Sequence, residues 1–352
     1  MTQGAPLPLT VLTGFLGSGK TTLLNRLLAH PGLGDTAVLI NEFGSVGLDH
    51  LLVRELGDDT VLLNSGCLCC TVRRDLVDTL RDLFARRANG AVPPFARIMV
   101  ETTGLADPAP VLHTLMTDPL LGRHVRLDGV VTCIDALLGA GQLADHPEAA
   151  KQAAVADRLV ITKTDLADAD TLARLHAALD RLNPAAPRLV AVNGALDPAA
   201  ILDAGLFSAE GKIADVAGWL RDEAYRDPGH DHDHVHDHHH HDPNRHDSRI
   251  RSFCLTYDEP LDWGRFLSAM DLLTATRGAQ LLRIKGLLNV RGEDGPVAIH
   301  GVQHVFHPPA PLPGWPDADH RSRIVFITRD LSERAVRSLF AAILPSASED
   351  PS

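Results

Sequence analysis

Residues 14–21 read Gly-Phe-Leu-Gly-Ser-Gly-Lys-Thr, a complete GxxxxGK(S/T) phosphate-binding pattern. The residues before it, 7–13 (LPLTVLT), are apolar and β-branched and predict a strand, while residues 21–30 (TTLLNRLLAH) show the leucine spacing of a helix. Glycines in such a loop turn successive backbone N–H groups toward phosphate oxygens, and the helix N-terminus adds the positive end of its dipole. The sequence therefore predicts that this chain binds a nucleoside triphosphate.

The loop and the residue after it supply the candidate phosphate ligands. Lys20 is expected to reach the β- and γ-phosphates, and the hydroxyl of Thr21 is expected to ligate Mg²⁺. The candidate phosphate-binding residues are Gly14, Gly17, Ser18, Gly19, Lys20, Thr21 and Thr22.

Length and composition indicate a soluble protein of more than one domain. The chain has 352 residues, 45% of them hydrophobic and 22% charged. A net charge of −12 argues against a nucleic-acid or anionic-membrane partner. We find no signal segment and no apolar run long enough for a membrane span, and the clustered cysteines do not resemble a disulfide framework. We therefore expect a cytoplasmic protein.

Apolar runs alternate with helical patterns up to about residue 205, which predicts a doubly wound, mostly parallel α/β sheet. Beyond residue 248 the patterns predict a smaller α+β domain with a mostly antiparallel sheet. The expected division is a nucleotide-binding domain at 1–225, a linker at 226–248 and a C-terminal domain at 249–345. The expected strands are 7–13, 37–41, 60–64, 97–102, 128–135, 158–163, 188–192, 249–257, 280–290, 297–306 and 323–328.

A guanine-reading motif follows one of these strands. Residues 162–165 read TKTD and fit the (N/T)KxD pattern of GTPases. Asp165 is expected to accept from the N1–H and 2-amino groups of guanine, a donor pair that adenine lacks, and the Lys163 stem to cover the base. The first position more often holds Asn, which tethers the phosphate loop; with Thr162 in its place, the motif does not predict that tether. Guanine is favoured over adenine.

Residues 101–104 (ETTG) end another predicted strand, where many GTPases carry DxxG. Glu101 is expected to support Mg²⁺, and the Gly104 amide to sense the γ-phosphate. Asp135, at the end of a neighbouring strand, is a second candidate for the acidic role, and Glu101 has the alternative of capping a helix.

Three cysteines lie within four residues, at Cys67, Cys69 and Cys70. Thiolates are soft ligands suited to Zn²⁺, and three of them with one N or O donor complete a tetrahedron. A redox-active thiol group is the competing interpretation. Cys133 and Cys254 lie in apolar strands and are expected in the core.

Taken together, these motifs resemble the CobW-type metallochaperone GTPase family over nearly the whole chain. The resemblance implies a slow GTPase that binds Zn²⁺ or Co²⁺ through the cysteines and delivers it to a client metalloprotein or biosynthetic enzyme. It also implicates Glu42 as a metal ligand, whereas His113 matches no family ligand securely. The motifs that carry the resemblance are GFLGSGKTT (14–22), NEFG (41–44), GCLCC (66–70), ETTGLADP (101–108), TKTD (162–165), PLDW (260–263), LLRIKGLLNV (281–290) and GVQHVFHPP (301–309).

The segment 226–248 holds nine of the chain's 19 histidines and six aspartates. With almost no apolar residues it is expected to be a disordered linker that offers many weak metal ligands, or else a solvated spacer. Trp315 and the surrounding proline-rich stretch 307–316 are expected to be exposed and to dock the client.

Two other functions compete with GTP-dependent metal delivery. The first is a metal storage or sensing protein in which the nucleotide is mainly structural. The second is a metabolite kinase, which predicts an arginine-rich lid that the sequence lacks and leaves the TKTD motif unexplained. The sequence names neither the client nor an oligomeric state.

Overall fold

The structure, a computed structural model, describes residues 6–41, 61–65, 72–202 and 249–344. Within them, the first sheet has seven strands in the order β3-β2-β4-β1-β5-β6-β7, and every neighbouring pair is parallel. The strands are β1 (Leu7–Gly14), β2 (Thr36–Asn41), β3 (Val61–Ser65), β4 (Arg97–Glu101), β5 (Val125–Asp135), β6 (Arg158–Thr162) and β7 (Arg188–Ala191). The predicted doubly wound parallel sheet is confirmed.

Helices cover this sheet on both faces, which is why its strands are apolar throughout. In β1, Leu9 and Val11 pack into one core cluster, while Leu12 packs into another with Leu23 and Leu27 of the first helix. The helices are α1 (Lys20–Leu28), α2 (Val72–Ala88), α3 (Ala109–Thr117), α4 (Leu121–His124), α5 (Gly139–Asp145), α6 (Pro147–Ala154) and α7 (Ala169–Leu182). The short helices α4 and α5 were not predicted from the sequence.

The strand order decides where a ligand binds. β1 lies between β4 and β5. The earlier strands β2 and β3 lie beyond β4 on one side, and the later strands β6 and β7 lie beyond β5 on the other. In open parallel sheets the crevice for a ligand lies at the carboxyl ends of the strands where the order reverses. The phosphate loop leaves the carboxyl end of β1 and therefore lies at this point.

The second sheet is antiparallel, with the order β11-β10-β9-β13-β8 and β12 paired to β10. Its core includes Phe253, Phe266, Phe326 and Phe340. Its elements are β8 (Ile250–Tyr257), α8 (Trp263–Arg277), β9 (Leu281–Leu288), β10 (Val297–Val302), β11 (Val305–Phe306), β12 (Ala310–Pro311), β13 (Ser322–Arg329) and α9 (Glu333–Ile343). The α+β domain is confirmed.

Two expectations for this domain were wrong. The strand predicted at 297–306 is a hairpin, because the chain reverses at Gln303, whose φ is 53°. Trp315 is half-buried rather than exposed, since it stacks on His320 with ring centroids 4.8 Å apart and packs beside Leu312. The ring therefore packs against the domain core, and client docking by this stretch stays a prediction.

The two sheets share one apolar cluster, in which Leu282 and Ile327 of the second domain join Leu112 and Leu127 of the first. At the same junction the carboxylate of Asp157 is 3% exposed. It accepts from Arg283 and Lys285, each at 2.6 Å, and from the Val130 amide at 2.9 Å. The Arg283 and Lys285 cations hold the pKa of Asp157 well below its usual range. The domains are thus joined by packing and by a buried ion cluster.

Two histidines beside this cluster make stability depend on pH. Burial, reinforced by the nearby Arg283 charge, lowers the pKa of His300 well below 6.5 and that of His307 to about 4. His307 is neutral in the folded chain between about pH 4 and 6.5, and the pKa of His300 is lowered in the same direction, whereas the unfolded chain protonates both histidines below pH 6.5. We therefore expect the free energy of unfolding to have its highest value above pH 6.5. Below pH 6.5 it should fall as the pH drops, by up to about 1.4 kcal/mol per pH unit per histidine.

Urea unfolding at pH 7 and pH 5 measures this effect. A His307→Asn variant should show a shallower loss than the unaltered chain, because one of the two protonation sites is gone. Equal urea midpoints at both pH values for the unaltered chain would contradict the prediction.

The remaining general expectations concern membranes and the isolated cysteines. No helix in the described ranges has the length and apolar content needed to cross a bilayer. Cys133 is fully buried in β5, where burial raises the pKa of its thiol to about 12, and Cys254 is half-buried in β8. The predicted linker, 226–248, lies outside the described residues.

Candidate functional site

The phosphate loop has the backbone that its sequence predicts. Gly14 has a φ of 143°, and a Cβ there would lie 2.5 Å from the Cys133 carbonyl oxygen, so no other residue fits. Gly19 has a φ of 86° and forms the N-cap of α1, which begins at Lys20. The strand, loop and helix follow one another as expected, and the N-terminus of α1 faces the loop.

Lys20 lies inside the loop. Its side-chain amine donates to the carbonyl oxygens of Gly14 at 2.8 Å and Phe15 at 3.1 Å, and the residue is 8% exposed. These bonds hold the ammonium at the floor of a cleft of about 510 Å³. The predicted site residues that line the cleft are Gly17, Gly19, Lys20, Thr21, Thr22, Glu101, Gly104 and Lys163.

A hydroxyl and a carboxylate meet on one wall of the cleft. Thr21 Oγ1 donates to Glu101 Oε1 at 3.1 Å, and Glu101 is only 5% exposed at the end of β4. Mg²⁺ prefers hard oxygen donors of these two types, so the pair fits the ion that the sequence implies. This hydrogen bond joins the first turn of α1 to the end of β4, which supports the prediction that Glu101 lies beside Mg²⁺.

Gly104 touches the phosphate loop directly. A Cβ at Gly104 would lie 2.7 Å from the backbone nitrogen of Leu16. The segment after β4 therefore packs on the loop at a distance that only glycine permits. The segment predicted to sense the γ-phosphate thus borders the phosphate loop.

The TKTD segment also reaches the loop. Thr162 Oγ1 donates to the Ser18 carbonyl at 2.8 Å, so the threonine hydroxyl makes a tether where the pattern more often has an asparagine. Lys163 Nζ donates to the Gly17 carbonyl at 2.7 Å and to Asp135 at 2.6 Å. Asp165 is exposed at the edge of the site.

Asp135 contacts the TKTD segment and the turn that follows β5. Its carboxylate binds Lys163 and accepts from the amides of Leu137 at 2.8 Å and Leu138 at 3.0 Å. Asp135 is thus bonded to Lys163, whereas the carboxylate that contacts Thr21 is that of Glu101.

Two features of the site were missed in the sequence. Residues 192–195 (VNGA) follow β7 at the same edge of the sheet, and a Cβ at Gly194 would lie 2.7 Å from the Thr22 carbonyl oxygen. Asn193 and Gly194 both have positive φ values, so the Asn-Gly pair was the available signal. The second feature is Gln152 in α6. A single polar residue within a helical pattern does not indicate that its side chain belongs to the site.

The proposed metal ligands Glu42, Cys67, Cys69 and Cys70 lie outside the described residues. The strands that lead to them are described, and they are neighbours: Asn41 at the end of β2 is the register partner of Ser65 at the end of β3. Ile40 is in turn the partner of Glu101. Both metal motifs thus leave the sheet beside the nucleotide cleft.

The described residues contain no group of three or more His, Cys, Asp or Glu side chains placed to hold a metal. His113 on α3 faces the second domain, with its Nε2 3.1 Å from His304 Nε2. It therefore contributes to the domain junction.

Comparison with known proteins agrees with this geometry. Residues 8–190 match the family described as CobW/HypB/UreG, nucleotide-binding domain, and residues 250–344 match the cobalamin synthesis protein cobW C-terminal domain. The chain is 32% identical over 338 residues to the zinc chaperone YjiA of Escherichia coli, covering 96% of this chain and 99% of that protein. It is 29% identical over 372 residues to the zinc chaperone CobW of Sinorhizobium sp, covering 96% and 97%.

A solved structure shows the same fold. The crystal structure of the Zn(II)-bound YjiA GTPase from E. coli has a TM-score of 0.72 at 27% identity, covering 97% of this chain and 99% of that chain. Because both domain families match, in the order and at the places that the two sheets occupy, this chain belongs to the CobW-type metallochaperone GTPase family.

Proposed function

We propose that this GTPase binds Zn²⁺ or Co²⁺ at a site made by Cys67, Cys69 and Cys70 together with Glu42. It then delivers the ion to a client metalloprotein or metal-dependent biosynthetic enzyme. Its relatives in two organisms are named zinc chaperones, which supports metal delivery as the role. The soft thiolate donors suit these ions, and the carboxylate supplies a harder fourth donor.

The nucleotide chemistry rests on residues of the cleft. Lys20 neutralises the phosphates, and Asp165 with Lys163 selects guanine. The Gly104 amide senses the γ-phosphate. Thr21 and Glu101 would hold Mg²⁺, which, when bound, offsets the charge that develops between the β- and γ-phosphates.

The register of the sheet is the observation that carries the coupling of metal to nucleotide. Residue 42 follows Asn41 directly, and residues 66–70 follow its register partner Ser65. Ile40, two residues before Glu42, is paired with Glu101 on the magnesium side of the cleft. A change at the γ-phosphate therefore has a path of about one strand spacing, ~5 Å, from Glu101 to the strand that precedes Glu42, and of about two spacings, ~10 Å, to the strand that precedes the cysteine motif.

We expect the affinity for Zn²⁺ to differ between the GTP and GDP states, with the tighter binding in GTP. By thermodynamic linkage, Zn²⁺ must then change the affinity for GTP by the same factor, on the order of 5- to 150-fold for a typical coupling. Competition against a chromophoric chelator measures this with Mg²⁺–GTP, with Mg²⁺–GDP and without nucleotide. A triple Cys67→Ser, Cys69→Ser, Cys70→Ser variant should lose the tight site.

Cys254→Ser is the matched control, because Cys254 is a half-buried thiol in the other domain. It should keep the tight site and its nucleotide dependence. Removing residues 230–241 should lower the number of weakly bound ions and leave GTP hydrolysis unchanged. A tight site with equal affinity in all nucleotide states would count against delivery and favour storage or sensing.

A further inference from the structure

Gln152 is a buried amide whose donors both act on the loop after β4. The residue is fully buried in α6, and its Nε2 donates to the carbonyl oxygens of Gly104 at 3.2 Å and Ala106 at 2.9 Å. Its Oε1 has no hydrogen-bond partner within the described part of the chain. Because an unpaired buried acceptor costs stability, packing alone does not explain a glutamine here.

These bonds set the orientation of a peptide plane in the cleft wall. In a trans peptide the N–H points opposite to the C=O. With its carbonyl held by Gln152, the peptide between Gly104 and Leu105 turns the Leu105 N–H away from α6. Leu105 lines the nucleotide cleft, and Gly104 is held against Leu16 by contact. Gln152 therefore fixes the orientation of the peptide that directly follows the Gly104 N–H, at a glycine whose backbone would otherwise be free to turn.

α6 is itself a firm support. Thr132 Oγ1 in β5 donates to the Gln152 carbonyl at 2.8 Å, which ties the helix to the sheet. Next to it, Lys151 Nζ binds Asp107 at 2.7 Å, while the other carboxylate oxygen of Asp107 accepts from the Ala109 amide at the start of α3. The loop is thus held at Gly104, Ala106 and Asp107 by two consecutive residues of one helix.

We propose that Gln152 is a positioning residue for the γ-phosphate-sensing loop 102–107, with Lys151 as a second tie. It acts through the Gly104 and Ala106 carbonyls and does not touch the nucleotide. This role rests on the proposed GTP chemistry of the cleft. It predicts that the loss of Gln152 impairs recognition of the γ-phosphate and hydrolysis while leaving GDP binding intact.

The test uses the full-length Gln152→Met variant, in which a side chain of similar length lacks both donors. We expect kcat for GTP to fall at least about tenfold, because a small displacement of a loop at the reacting group is costly. The affinity for GDP should stay within about twofold, because GDP has no γ-phosphate to lose contact with. The ratio of affinities for a non-hydrolysable GTP analogue and for GDP should fall about fivefold or more.

Gln142→Met is the matched control, since Gln142 on α5 and Gln152 on α6 line one small cavity. It should leave kcat and the affinity ratio unchanged. If Gln152→Met does not fold, Lys151→Met breaks only the half-exposed tie and should lower kcat about threefold with GDP affinity unchanged.

Two outcomes would overturn the positioning role. One is an unchanged kcat and affinity ratio in Gln152→Met, or in Lys151→Met where the first variant does not fold. The other is an equal loss of GTP and GDP affinity, which indicates a packing role. The affinity ratio can be measured without turnover, so it tests the positioning role even if the unaltered chain hydrolyses no GTP. Absence of GTP hydrolysis by the unaltered chain would instead overturn the proposed function.

Discussion

Lys20→Ala is expected to lower GTP hydrolysis by at least about 100-fold, the scale on which loss of one preorganised charge donor acts. The Lys20 ammonium is held by the Gly14 and Phe15 carbonyls inside the phosphate loop, so it is in position before the nucleotide binds. Such a charge loses little energy to reorganisation when negative charge develops on the phosphates. Steady-state release of phosphate from Mg²⁺–GTP measures the effect.

The same variant separates the two functions of the chain. Lys20→Ala leaves the cysteine motif intact, so the affinity for Zn²⁺ without nucleotide should not change, while the difference between GTP and GDP should shrink. Arg81→Ala, which removes an exposed cation on α2 that pairs with nearby Asp78, should preserve both activities. Retention of more than half of the hydrolysis rate by Lys20→Ala would contradict the assignment of the cleft.

Asp157→Asn is expected to destabilise the protein by about 3–5 kcal/mol, the usual cost of removing one partner of a buried ion cluster. The substitution keeps the shape of the side chain but leaves Arg283 and Lys285 without the carboxylate that both contact at 2.6 Å. The Val130 amide also loses a charged acceptor. Because the free energy of unfolding of a protein is only about 5–15 kcal/mol, this loss would be a large fraction of it.

Chemical denaturation measures this loss, and the position of the cluster adds a second readout. Asp157 lies between the domains, so the variant should unfold in two steps if the junction separates first. The control is Glu333→Gln, which breaks the exposed pair with Arg337 and should cost less than about 1 kcal/mol. A denaturation midpoint like that of the control would show that the buried cluster contributes little.

Much of the first domain was predictable because its signals are local. Seven apolar runs became seven parallel strands, with ends shifted by a few residues, as at β5, which begins at Val125 instead of residue 128. The short helices α4 and α5 were missed, since four and seven residues carry too little periodicity to recognise. In the second domain the hairpin at Gln303 was missed because apolar residues continue on both sides of the turn.

The candidate site was predictable in its residues but not in its contacts. The motif pattern predicted Lys20, Thr21, Glu101 and Lys163 at one cleft, and they line it. The tether from Thr162 to the Ser18 carbonyl joins residues 144 positions apart, and a threonine departs from the pattern that would have predicted it. The metal-ligand assignments and the domain boundaries remain predictions.

The sequence by itself determined the phosphate loop, the alternating sheet and the family, because each depends on residue types at short, fixed spacings. Only the tertiary structure decided what lies beside them. The pairing of Asn41 with Ser65, the hold of Gln152 on the Gly104 carbonyl and the burial of Asp157 all join segments distant in the chain. Such contacts follow from strand order and packing, and no local pattern of residues encodes them.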